Sequence, residues 1–137
     1  MHPPKAAVDQ AIGLYNQGQL KKTILVAERL AERYPNALVL YELLGAAYMG
    51  LDNKDKTIES YQKALRLNPK HTDAYNNMGL ALYDKGMFTE AVESYKKAVQ
   101  FEPRFSDAHY NLGNALKQTG DLKQAIESYK ASLAINP

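Results

Sequence analysis

Apolar residues recur along this chain at helical spacing, and the pattern breaks at regular intervals. Tyr75, Met78 and Leu82 fall at i, i+3 and i+7, and after Gly86 a second stripe follows at Val92, Tyr95 and Val99. Each is the buried stripe of an amphipathic helix. The two-stripe unit then repeats. The segments from Thr57 to Leu65, Ala91 to Val99 and Ala125 to Leu133 read TIESYQKAL, AVESYKKAV and AIESYKASL. Pro35, Pro69, Pro103 and Pro137 stand 34 residues apart and punctuate these units. A proline removes a backbone donor and disfavours helix in the residue before it, so each should end the second helix of its unit. A period of this length predicts stacked helical hairpins.

Aligning the units exposes columns. One reads Ala11, Gly45, Gly79, Gly113, and another Gly18, Asp52, Gly86, Gly120. Small residues are expected where two helices touch or turn, and Gly86 and Gly120 sit where a left-handed residue ends a helix. Asp121 followed by Gln124 resembles a capping box opening the next. Further columns are Thr23, Thr57, Ala91, Ala125; Leu30, Ala64, Ala98, Ser132; and Ala27, Tyr61, Tyr95, Tyr129. Helices of about 13 residues are marginal alone in water, so stacking must stabilise them.

With these columns the chain resembles four tetratricopeptide repeats, at about 4–37, 38–71, 72–105 and 106–137. The resemblance rests on the large residue opening the first helix (Tyr41, Tyr75, with His109 as a departure), on the pairs Leu44-Gly45, Met78-Gly79 and Leu112-Gly113, and on Tyr48, Leu82 and Leu116 one turn later. Asp52 departs from the turn glycine. Ala7, Gln10 and Ala11 in the first unit replace the aromatic, leucine and glycine, which predicts a looser first hairpin. The resemblance implies a single all-α domain over 1–137, a right-handed α-solenoid of four helix-turn-helix hairpins with about eight antiparallel helices. It also implies a protein- or peptide-binding adaptor or scaffold whose concave surface is formed mostly by the first helices.

Composition agrees. The chain is 45% apolar and 23% charged, as in ordered proteins, and has no cysteine, which excludes thiolate chemistry. Seventeen basic against fifteen acidic side chains give a net charge of +2, without the basic excess of a nucleic-acid binder. No apolar run reaches bilayer-spanning length and Met1–Lys5 has no signal-peptide core, so the expectation is a cytoplasmic protein with neither nucleic-acid nor membrane partners.

Catalysis finds no footing. His2, His71 and His109 share no helical turn, so no metal-ligand spacing exists, and no cofactor is expected. His71 reads as a solvated or capping side chain, and His109 as a partly buried aromatic substitute in a tyrosine column. Glu59, Glu93 and Glu127 recur as solvated faces of the second helices; a repeated carboxylate is not an acid–base pair.

Binding residues are sought off the packing stripes of the first helices. In the later units these are Asp73, Asn77, Leu80 and Asp84, and Asp107, Asn111, Asn114 and Gln118. Asparagine both donates and accepts, so a row of them suits the backbone of an extended peptide. The row is similar to the asparagine ladder in the repeat superhelix of O-linked N-acetylglucosamine transferases. The earlier units are apolar at Val8, Ile12, Tyr15, Val39, Leu43 and Met49, a candidate patch for a partner. The carboxylate clamp of chaperone-binding relatives is disfavoured. Its positions carry Glu42, Ala46, Asn77, Asp107 and Asn111, or Val8, Ile12, Leu43, Asp73 and Asn77, without the cations it needs.

Two expectations concern the ends. Nothing is expected to stack before the first helix, where Gln10 replaces an apolar residue. Leu116, Tyr129 and Leu133 of the last hairpin are expected to be partly bare and to mediate self-association, unless the chain continues. Continuation gives the alternative function, the substrate-recruiting front of a glycosyl- or sulfotransferase-like enzyme with its catalytic domain beyond Pro137.

Overall fold

A computed structural model describes every residue, Met1–Pro137. It contains eight helices and no strand: α1 (Lys5–Asn16), α2 (Leu20–Arg33), α3 (Leu38–Gly50), α4 (Lys54–Leu67), α5 (Thr72–Asp84), α6 (Phe88–Phe101), α7 (Ser106–Thr119) and α8 (Leu122–Ile135). Every second helix stops two residues before a proline, at Arg33, Leu67, Phe101 and Ile135. The residue between, Tyr34, Asn68, Glu102 or Asn136, has left helical geometry, with φ between −127° and −139°. That is the restriction a proline imposes on its predecessor.

The helices gather into two compact units, Met1–Pro69 and Lys70–Pro137, each with two of the expected hairpins. In the first, α3 packs against α1, α2 and α4 and buries Leu40, Tyr41, Leu43, Leu44, Gly45 and Ala47. A helix touched on several sides needs apolar residues around most of its circumference, which accounts for the sequence LVLYELLGAAYMG. By contrast α1 fully buries only Ala11. In the second unit α7 packs on α5, α6 and α8.

Within three of the hairpins the two helices approach closely at the same pair of positions. A Cβ built on Gly45 would lie 2.6 Å from the Tyr61 ring, on Gly79 2.5 Å from Tyr95, and on Gly113 2.7 Å from Tyr129. The first hairpin makes the complementary choice, with Ala11 and Ala27 both fully buried in the core of its unit. A tyrosine thus goes with a glycine opposite it.

The turns follow the expected column. Gly18, Gly86 and Gly120 have φ of 74°, 79° and 86°, and Asp52 takes the same left-handed geometry at φ 58°. For a side chain with a Cβ that geometry costs about 1 kcal/mol, tolerated best by aspartate and asparagine. Capping is also local: the carboxylate of Asp121 accepts from the Gln124 N–H, and His71 Nδ1 accepts from the Ala74 N–H at 3.2 Å. His71 is therefore a capping side chain. The serines that follow the repeated glutamates point inward: Ser94 donates to the Tyr75 carbonyl at 2.6 Å, tying α6 to α5, while Glu59, Glu93 and Glu127 stay exposed.

The glycine–tyrosine contact is testable by a double-mutant cycle in the last hairpin. Gly113→Ala alone is expected to destabilise by about 1–3 kcal/mol through overpacking. In a Tyr129→Ala background the same change should be neutral, or stabilising by up to about 1 kcal/mol, because alanine is the better helix former. Urea unfolding of the four proteins measures the coupling, and additive costs would refute the contact.

Candidate functional site

The expected polar row lies on α5 and α7 of the second unit, and the structure shows what each side chain does there. Asp73 and Asp107 stand exposed in the first turns of α5 and α7, where a carboxylate also complements the helix dipole. Asn77, Leu80, Asn111 and Asn114 are half-buried, and Asp84 and Gln118 are exposed.

Three of the four α7 residues already have protein partners. Asn111 Nδ2 donates to Oδ1 of Asn76 at 3.0 Å, and Gln118 Nε2 reaches the Tyr83 hydroxyl at 3.5 Å. These two rungs join α7 to α5 at positions seven residues apart on each helix, two turns along one seam. Asn114 Oδ1 accepts from the Tyr129 hydroxyl, joining α7 to α8. The row is thus partly an internal brace. What it leaves to a ligand are the carboxylates of Asp73, Asp84 and Asp107 and the remaining lone pairs and N–H groups of Asn111, Asn114 and Gln118.

Asn76 is the residue that sequence reading missed. It is 7% exposed and belongs to the column of Glu42 and Tyr110, which gives no hint of a buried amide. The only available signal was the doublet Asn76-Asn77, where a second amide could face the neighbouring helix.

The phenols near this face are held in their neutral form. Burial, then the Asp84 and Tyr83 charges, push the Tyr95 phenol well above its ordinary range. Tyr129 is raised in the same sense by burial, Tyr110 and Tyr83. The His109 Nε2 meets the Pro103 carbonyl at 2.8 Å, as the Tyr41 hydroxyl meets that of Pro35 at 2.7 Å. It substitutes for the tyrosine of its column, ring and hydrogen bond together.

The apolar patch read from α1 and α3 needs correction. Leu43 is only 7% exposed and belongs to the core of the first unit, and Ile12 and Tyr15 pack against that core. Val8 and Met49 are half-buried, and Val39 is the one clearly exposed member. Because α3 is packed on several sides, its apolar residues serve the α1–α3 seam. A second correction concerns the last hairpin: Leu116 is 3% exposed and lies within it, so it offers no surface. Leu133 is exposed at 60%, and Leu122 and Ile126 share that exposure along α8, while Tyr129 is half-buried against Tyr110.

Comparison with known proteins bears on the same helices. The TPR repeat model matches residues 53–86 and 79–120, and the tetratricopeptide repeat model matches 106–137. The crystal structure of MamA superposes with a TM-score of 0.90 at 25% identity, over 94% of this chain and 75% of its own. MamA 41-end from Desulfovibrio magneticus gives 0.89 at 21% identity, over 97% of this chain and 75% of its own, which speaks to fold alone. Photosystem I assembly protein Ycf3 of Prochlorococcus marinus subsp. pastoris is 44% identical over 43 residues, 31% of this chain. That match spans 25% of the Ycf3 chain.

The brace predicts an ordering of stabilities. Asn111→Ala strips a donor from the buried Asn76 and should cost about 1–3 kcal/mol. Asn114→Ala leaves the half-exposed Tyr129 hydroxyl to water and should cost less than about 1 kcal/mol. Urea midpoints at constant slope give the comparison, and equal costs would remove the bracing role.

Proposed function

We infer that this chain, which belongs to the tetratricopeptide-repeat family, is a protein-binding adaptor or scaffold. The observation that carries the reading is the α5–α7 face, where the exposed carboxylates of Asp73 and Asp107 flank a row of half-buried amides. The row suits the polar backbone of an extended segment, and the carboxylates favour one with basic side chains. The relative named as an assembly protein supports a role in holding proteins together. A non-catalytic role and a cytoplasmic location belong to the same proposal. No helix is long and apolar enough to cross a membrane. The glycosyl- or sulfotransferase-like alternative draws no support from these relatives.

Peptides selected from a displayed library of unstructured sequences on the wild-type chain provide the test. Asp73→Ala, Asn77→Ala and Asp107→Ala should each weaken the selected peptides by up to about tenfold, the value of one or two polar contacts. Peptides indifferent to all three substitutions would place the binding face elsewhere.

Self-association through the last hairpin also belongs to this proposal, now resting on Leu133 and Tyr129 without Leu116. Sedimentation should show concentration-dependent growth that Leu133→Glu abolishes. A wild-type chain that stays monomeric at high concentration would end the idea.

A further inference from the structure

A crevice of about 280 Å³ opens in the first unit where α2, α3 and α4 meet, lined by Glu28 and Glu32 of α2, Tyr41 and Tyr48 of α3, and Lys56, Glu59 and Lys63 of α4. The second unit has the same hollow, also about 280 Å³, between α6, α7 and α8. There Lys96, His109 and Leu116 stand where the first crevice has Glu28, Tyr41 and Tyr48. Stacking of repeats therefore creates the hollow and requires neither the carboxylate nor the tyrosine hydroxyl. The chemistry of the first crevice is additional to its architecture.

We propose that the crevice between α2, α3 and α4 binds the guanidinium of an arginine side chain presented by a partner protein. Of its three carboxylates, Glu59 is already neutralised by Lys56 at 3.4 Å and Lys63 at 3.2 Å. Glu28 and Glu32 have no ion pair, although like charges one turn apart repel. A cation between them relieves that repulsion. The Tyr48 hydroxyl donates to Glu28 and fixes the orientation of its carboxylate. Burial, followed by the Glu28 hydrogen bond and charge, pushes the Tyr48 phenol up to about 12, so it remains a donor across the neutral range. Ser60 and the two lysines held by Glu59 complete the α4 wall, while Ala31 and Leu44 suit the methylene stem of a long side chain, whose planar head can lie on a tyrosine ring. The volume is just below that of drug-sized pockets, as one side chain requires. Arginine is preferred over lysine because its fork can engage a carboxylate with two parallel bonds. The site lies in the other unit from the α5–α7 face and does not depend on that face binding anything.

The test titrates the full-length, ¹⁵N-labelled chain with acetyl-arginine amide. Amide shifts should concentrate at Glu28, Glu32 and Tyr48, with a dissociation constant on the order of 1–10 mM for so small a probe. The uncharged isostere acetyl-citrulline amide should leave them unmoved, and acetyl-lysine amide should bind more weakly. Glu28→Lys and Tyr48→Leu install the residues that the second crevice already carries, so both should fold and both should weaken binding at least fivefold. Glu28→Gln, of equal size, should weaken it at least threefold and covers the case of a variant that misfolds. Equal response to citrulline, affinity unchanged in Glu28→Gln, shifts scattered over exposed carboxylates such as Asp9 and Glu90, or no localised shift at all would each overturn the proposal.

Discussion

The structure depends on a steric exchange between the two helices of each hairpin. A first helix without a side chain at Gly45, Gly79 or Gly113 leaves room for a tyrosine ring from the second, and that ring fills the space a Cβ would occupy. Close approach and a large apolar payload are obtained together, since the glycine backbone lies against the face of the ring. A glycine in mid-helix costs roughly 1 kcal/mol, so the contact must more than offset it three times over. The first hairpin satisfies the same spatial demand with Ala11 and Ala27, a smaller pair with less area to bury.

Once that contact sets the hairpin, the same backbone niche recurs and side chains differentiate it. Tyr41 and His109 hold equivalent proline carbonyls, those of Pro35 and Pro103, with different ring chemistry. The hollow between three successive helices carries a glutamate and a tyrosine hydroxyl in one unit and a lysine and a leucine in the other. Repetition thus supplies sites at no architectural cost, and function is written in departures from the template. The departures that matter are the ones stacking does not require.

Much of this was legible in the chain. The proline interval located the ends of α2, α4, α6 and α8, the turn column located Gly18, Asp52, Gly86 and Gly120, and the cap at Asp121 was readable from its spacing. These are local effects, set by one residue's own torsions or by a neighbour within a turn. Periodicity failed where a helix has more than one buried side. Leu43 and Ile12 looked like surface because a single stripe was subtracted from α3 and α1, whereas these helices pack along two seams. Leu116 was misplaced for a related reason: its column lies inside the hairpin, not on its outer face.

The candidate site divides along the same line. The sequence alone determined the helical repeat, its register, its punctuation and the list of polar residues on the first helices, because each follows from spacing along one chain. Only tertiary structure decided that Asn111 and Gln118 reach back to Asn76 and Tyr83, and that Glu28 is held by a hydroxyl twenty residues away across a crevice. Hydrogen bonds between helices depend on axial offset and rotation, and side-chain packing fixes both only when the helices come together.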